Sequence, residues 1–273
     1  MKKRSVFERI AASPYILWSL LFIIAPLLFV AYFAFTTPSG DITAMHVTSL
    51  PSYLPTFLMS IGFSLIATVV CLLIGYPLAY CMSQMKPRAR NILMTLIMLP
   101  MWISLLIRTY SLMALLDNGG LISSFLEDLG FGRLTFIGTE GAVILGMIYD
   151  FLPYMVLPIY TSMTKLDKRY LEAAADLGCN SWQTLFKVIL PLTTPGIISG
   201  VTMVFVPSIS TFYISQKLGG GSFDLLGDVI ERQFKNVITY HTGAVISLVM
   251  MVLILISLAI MHKFSDSGED IIV

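Results

Sequence analysis

The chain has 273 residues, a length that fits one or two soluble domains. Hydrophobic residues make up 56% of it and charged residues only 12%, about half the roughly 25% of an ordinary soluble domain, so a solvated surface cannot be built from this composition. Seventeen basic side chains against 16 acidic ones leave a net charge of +1, which excludes a basic nucleic-acid binder or an acidic solvating tail and leaves a polytopic membrane protein.

A bilayer core about 30 Å thick asks for about 20 mostly apolar residues per helix. Runs of that length predict six spans, in chain order Pro14–Phe35, Thr56–Met82, Ile92–Leu116, Gly141–Met163, Pro191–Ser215 and Gly243–His262. The two-residue alternation of a membrane barrel strand is absent, so the fold class is all-α, with a short segment 1–13, a six-helix membrane domain 14–263 and a tail 264–273. The first span follows a basic stretch, but it is too long for a signal and no small-x-small cleavage site closes it, so it reads as an uncleaved helix.

Lysine and arginine orient the spans. Twelve fall on one side: Lys2, Lys3, Arg4 and Arg9 before the first span, Lys86, Arg88 and Arg90 in the second connection, Lys165, Lys168, Arg169 and Lys187 in the fourth, and Lys263 after the last. The other side holds Arg133, Lys217, Arg232 and Lys235, while Arg108 lies inside a span. The positive-inside rule places both termini in the cytoplasm. Cys71, Cys81 and Cys179 show no CxxC spacing and suggest neither a disulfide framework nor a metal site, and His46, His241 and His262 are scattered and read as interfacial.

No GxxxxGK[ST] phosphate cradle occurs, and Gly219-Gly220-Gly221 reads as a flexible loop or tight turn. Neither a nucleophile elbow, an HExxH pair nor a carboxylate pair at one membrane depth is present, so the expectation is a non-catalytic subunit that moves something across the membrane.

The fourth connection, about 165–191, is more elaborate than a connector needs to be. Its sequence predicts an Ala-rich helix starting near Leu171 and stopped at Gly178, then an amphipathic helix ending where Pro191 opens the next span. Ala174, Ala175 and Gly178 would let a partner approach closely, and Glu172 and Asp176, four residues apart, offer charge to a basic one. Glu172-Ala173-Ala174, Gly178 and Leu190-Pro191 stand at the spacing of the EAA motif, with Val188 where that motif has Ile. The segment therefore resembles the coupling loop of type I importer permeases of the ATP-binding-cassette (ABC) superfamily. The likeness covers most of the chain: Leu99-Pro100, Leu106-Ile107-Arg108-Thr109-Tyr110, Leu152-Pro153-Tyr154 through Tyr160, Leu190-Pro191 through Ile198, and Leu225 through Ile230 with Gln233-Phe234 are similar to the PotB-like spermidine/putrescine permeases.

The resemblance implies a bacterial inner-membrane subunit paired with a second homologous permease (PotC-like), two copies of a cytoplasmic ATPase (PotA-like) that bind ATP and Mg, and an extracytoplasmic polyamine-binding protein (PotD-like). It implies no cofactor in this chain. Related permeases carry ferric iron or thiamine, so another small cation is the alternative cargo. An ion-coupled secondary transporter would need more buried acids and two broken, matching halves. A membrane scaffold would leave the helix-turn-helix unexplained.

Two charges, Arg108 and Asp150, fall inside spans, where each costs about 2.5 to 3.5 kcal/mol at mid-helix. Their similar depth leaves two readings open, a structural ion pair or a lining of the path. At 100° per residue Trp102, Thr109, Tyr110, Met113 and Asp117 share one face of the third span, with Arg108 turned away. Asp150 and Tyr154 share a face of the fourth; Ser208, Thr211, Phe212 and Ser215 form a stripe on the fifth, as suited to gluing helices as to lining a pore. A polyamine path asks for carboxylates and aromatic faces, and Trp102, Tyr110, Asp117, Asp150, Tyr154, Phe212 and Tyr213 are the candidates. Asp150 enters on burial alone and is not part of the resemblance.

Overall fold

Proline spacing decides how these apolar runs fold. The computed structural model describes residues 6–37, 41–43, 48–131, 135–236 and 238–269; Lys2, Lys3, Arg4, His46, Arg133 and the last four residues of the tail lie outside them. Four helices are long and apolar enough to cross a membrane unbroken: α1 (Ser13–Ala34), α2 (Leu50–Gln84), α6 (Glu140–Thr164) and α12 (Tyr240–Glu269). Between them come α3 (Pro87–Met98), α4 (Leu105–Leu116), α5 (Leu121–Leu126), α7 (Lys168–Asp176), α8 (Ser181–Leu192), α9 (Thr194–Ser210), α10 (Tyr213–Leu218) and α11 (Leu226–Lys235). The described residues contain one isolated bridge, Thr36 to Ile42, and otherwise only helices and turns.

Two predicted spans are bent rather than straight. The third turns by 99° between Pro87–Trp102 and Leu105–Phe125. Pro100 has no N–H to continue the ladder, so the helix tightens into a 3-10 turn over Leu99–Trp102, and Ile103 and Ser104 become extended. The fifth is bent by 66° where Ser181–Leu192 meets Thr194–Ser210. Pro191 and Pro195 flank this bend, and Thr193 closes it by donating its hydroxyl to the Ile189 carbonyl at 2.8 Å. The predicted end of the fifth span at Ser215 is also corrected, because α9 stops at Ser210 and Thr211 is extended. Prolines leave a further trace in two π-turns, Leu20–Ile24 and Leu185–Ile189, each ending two residues before a proline, Pro26 or Pro191. There the missing N–H lets the turn widen.

The chain forms two compact units, one comprising residues up to Leu54 with Val229–Leu253 and the other Pro55–Asp228 with the residues from Ile254 on. In the first, Ala34, Ala244 and Val245 form a small core against Val30, Phe33 and Leu248. His241 is buried there, Nδ1 at 2.9 Å from the Phe33 carbonyl in the last turn of α1, which gives the imidazole a partner within the chain. No residue in the apolar window of α1 is buried within the chain.

The second unit is built on α6 and α9. Gly196 and Gly200, four residues apart, lie against α6 so closely that an added Cβ at Gly196 would sit 2.8 Å from the Pro158 carbonyl oxygen and one at Gly200 3.1 Å from that of Met155. A small-residue pair at this spacing is how membrane helices bring their backbones together where lipid offers no hydrophobic drive. Met82, Met147, Met155, Val156, Ile159 and Val204 fill the surrounding core.

Candidate functional site

The loop between α6 and α9 is fixed by local capping. Asp167 accepts the Arg169 N–H at 3.0 Å and starts α7 at Lys168, three residues before the predicted Leu171, because its carboxylate satisfies a free first-turn donor. The helix ends in a Schellman turn: Cys179 N–H donates to the Ala174 carbonyl at 3.0 Å and Gly178 N–H to that of Ala175 at 2.9 Å, with Gly178 at φ +76°. Two residues later Asn180 and Gln183 form a reciprocal capping box, at 2.8 and 2.9 Å, that starts α8.

This rigid frame displays Glu172, Ala173, Ala175, Asp176 and Gly178 on its surface, along with Leu177 at 84% exposure and Trp182 stacked on Phe186 at 5.9 Å. Ala174 corrects the expectation that it belongs to the displayed face; it is buried and anchors α7 from below. Among the described residues nothing approaches within 4 Å of a Cβ built on Gly178, so there its glycine is required by the left-handed backbone and not by crowding.

The two intramembrane charges meet. Arg108 on α4 and Asp150 on α6 form an ion pair at 3.1 Å, with side chains only 6% and 1% exposed. Arg108 also donates to the Asp150 carbonyl at 3.3 Å, and Thr109 donates its hydroxyl to Asp150 Oδ2 at 3.4 Å. The bend at Pro100 makes this possible, since α4 leaves the bend in its own direction and delivers Arg108 and Thr109 together onto α6.

The predicted aromatic candidates separate into groups. Tyr110 and Tyr213 come together as an edge-to-face pair at 5.9 Å between α4 and α10. Lys217, absent from the predicted set, places its ammonium 5.1 Å from the Tyr110 ring centroid and 5.8 Å from that of Tyr213. Its signal was readable as the Tyr213/Lys217 spacing of one helical turn, but only once α10 is known to be a helix. Trp102 does not share the Tyr110 face, because the progression of 100° per residue stops at the bend; it stands 77% exposed on the 3-10 turn. Phe212 is exposed at the break before α10, and Asp117 ends α4 with its N–H donating to the Met113 carbonyl at 2.8 Å while its carboxylate accepts the Asn118 N–H at 2.8 Å. Tyr154 packs beside Phe151 on the core, with ring centroids 6.4 Å apart. Ser208, Thr211 and Ser215 are buried, and the hydroxyls of Ser208 and Ser215 are spent on the backbone at Phe205 and Phe212.

Outside the spans, Asp228 on α11 is also buried. Its Oδ2 accepts the Leu225 N–H at 2.8 Å, and burial pushes its carboxyl above the usual range against the opposing pull of Ser215, the Leu225 amide and Gln216. The neighbouring Leu226 N–H donates to Ser60 Oγ at 2.7 Å and ties the start of α11 to α2.

Apolar helices of spanning length, two of them bent, with a capped polar helix pair set on one bend, make up the fold of an importer permease. Its chain trace is similar to a crystal structure of a bacterial ABC transporter involved in the import of the acidic polysaccharide alginate, with a TM-score of 0.74 over 97% of this chain and 96% of that one at 19% identity. The alginate transporter in complex with its pentasaccharide-bound periplasmic protein gives a TM-score of 0.77 at 19% identity, covering 95% and 93% of the two chains. Residues 71–268 match the binding-protein-dependent transport system inner membrane component family, and the chain belongs to it. It is 38% identical to the spermidine/putrescine transport system permease protein PotB of Haemophilus influenzae, over 94% of this chain and 93% of that one. To the protein of the same name from Escherichia coli it is 36% identical, over 91% and 94%.

Proposed function

We propose that this permease translocates polyamines, spermidine and putrescine, across the bacterial inner membrane. In this proposal it works beside a second permease (PotC-like), above a cytoplasmic ATPase dimer (PotA-like) and below an external binding protein (PotD-like), with both of its termini cytoplasmic. The observation that carries the coupling half of this reading is the doubly capped α7, which presents Glu172 and Asp176 outward on a helix that cannot fray at either end. The extensive identity to spermidine/putrescine permeases supports the cargo.

The chain's own part follows from connectivity. Movement of the ATPase subunits pushes on the face around Glu172–Gly178. The capping box carries that push into α8, and the bend at Thr193 turns it into α9. With Gly196 and Gly200 seated on α6, α9 moves as a lever against the helix that holds Asp150. Its far end continues through Thr211 into α10, where Tyr213 faces Tyr110. Alternating access is then a change in how this lever lies, selected by the ATPase state. The Arg108–Asp150 pair holds α4 to α6 while this happens, and the aromatic groups make only the weak cation-π contacts that a channel able to release its cargo requires.

The test is reconstitution of the four-component importer in vesicles, with ATP-dependent uptake of labelled spermidine and putrescine and with ferric iron and thiamine as competitors. Polyamine uptake that Glu172→Lys abolishes is the expected result. Uptake of another cation with no polyamine transport overturns the cargo, and hydrolysis still coupled to uptake in Glu172→Lys overturns the role of the loop.

A further inference from the structure

The contact between Lys217 and the tyrosine pair is the least explained feature of the second unit. A lysine at the end of a short surface helix ordinarily extends into water or toward a carboxylate. Among the described residues Lys217 forms no ion pair; its ammonium lies by two aromatic rings, 5.1 and 5.8 Å from their centroids, and within hydrogen-bonding reach of the Tyr110 hydroxyl. The rings are held from two sides. Tyr110 is on α4, whose neighbouring residues Arg108 and Thr109 are pinned to Asp150. Tyr213 opens α10, which is anchored by buried Ile214, Ser215 and Leu218, and the Leu218 carbonyl accepts the Gly138 N–H at 2.8 Å. The rings are held by their helices and the four-carbon lysine arm is flexible, so the geometry is that of a two-ring platform with a detachable occupant.

We propose that the Tyr110–Tyr213 pair is a binding cage for primary ammonium groups and that Lys217 is its resident occupant, which the ammonium of an amine cargo displaces as it enters. The cargo class rests on the polyamine reading above; the cage itself does not. An ammonium on a polymethylene stem is the chemistry shared by Lys217 and an alkyl polyamine, and the contact is exchanged one for one. While Lys217 sits in the cage it adds a second tie between α10 and α4 beside the ring pair itself; when cargo takes its place that added tie is released.

The experiment uses the assembled importer carrying Lys217→Cys, with Cys81→Ser and Cys179→Ser to remove the other accessible thiols. Its modification rate is compared between a trimethylammonium-ethyl and a sulfonatoethyl methanethiosulfonate reagent, each normalised to a free thiol. The cage gives a preference for the cationic reagent of about 5-fold, the size expected of one cation-π contact. Adding Tyr110→Phe keeps the preference because the ring face remains, whereas adding Tyr110→Leu removes it; spermidine slows the cationic reagent alone. Equal rates for the two reagents, or a preference that survives Tyr110→Leu, overturns the cage. A preference that spermidine does not reduce overturns the exchange with cargo, and wild-type uptake measured in parallel shows whether the polyamine reading has failed with it.

Discussion

Asp150→Asn is the substitution on which the structure makes its sharpest demand. It removes one charge of a pair whose nitrogen and oxygen are 3.1 Å apart and whose side chains are almost wholly enclosed by the chain. At that separation an effective dielectric constant of about 20 gives an attraction of about 5 kcal/mol. Asparagine keeps an oxygen for the Thr109 hydroxyl, and the Arg108 contact to the residue 150 carbonyl survives, but the guanidinium is left buried without a counter-charge. The expected loss is about 3 to 5 kcal/mol, the usual result of stranding one member of a buried pair. In detergent this should appear as a fall of roughly 10 °C in apparent melting temperature, read by size-exclusion chromatography after heating. The double variant Arg108→Met, Asp150→Leu carries no charge into the interior and should recover most of the loss. A single variant that melts within about 2 °C of wild type yet imports poorly would refute the reasoning and place Asp150 on the cargo path instead of in the frame.

Three further outcomes follow from the same geometry. At Gly178 the left-handed φ of +76°, with open space around it, predicts that Asn, which tolerates that conformation, preserves coupling of ATP hydrolysis to uptake better than Ala; the reverse order would mean that a partner's close approach sets the requirement. Gly196→Ala should separate α9 from α6, since its Cβ would lie 2.8 Å from a backbone oxygen that cannot turn away, with a lower melting temperature and reduced complex yield; an unchanged melting temperature would contradict this packing. Asp228 has a raised folded pKa, so the folded state holds its proton over a pH range in which the unfolded chain has already lost it. Stability of α11 should therefore be greatest below about pH 3.9, fall as pH rises from there through the raised value, and stay flat above it. Asp228→Asn keeps an acceptor for Leu225 and should abolish that slope, which hydrogen exchange of the α11 amides across pH will show; an undiminished slope would assign it to another group.

What could be read in advance divides along the range of the interactions. The α6–α9 loop was legible because its determinants are neighbours in sequence: Asp167 beside the helix it starts, Gly178 at the helix it ends, Asn180 three residues from Gln183. The six apolar runs were legible because span length is set by the bilayer. The bends were not, and composition explains why. Pro153 and Pro158 sit inside α6 and Pro77 inside α2 without breaking either helix, while Pro100 and Pro191 mark bends of 99° and 66°. Residue type is the same in each case; what differs is whether the flanking backbone adopts extended or turn geometry, as Ile103, Ser104 and Thr193 do. Two faces differ from the straight-helix reading because the chain breaks at such a point. A straight third span puts Trp102 on the Tyr110 face across Ile103, and a fifth span running to Ser215 puts Lys217 in a loop; the extended backbone at Ile103 and Thr211 separates the first pair and makes the second a helix.

Those same breaks bear on how the protein works. From α8 to α10 the chain runs through one lever interrupted at two places, Thr193 and Thr211, one near each end of α9. Neither break is built of glycine: Thr193 is buried and ties its own hydroxyl back to the preceding turn, and Thr211 is buried beside the start of α11, where an added Cβ at Gly227 would meet the Thr211 carbonyl oxygen at 2.7 Å. Such joints hold their angle instead of swinging. On the proposed coupling route a displacement of α8 would therefore reach α10 as movement of the whole lever, and the Lys217 contact with Tyr110, which we propose an incoming amine replaces, is the one left free to change.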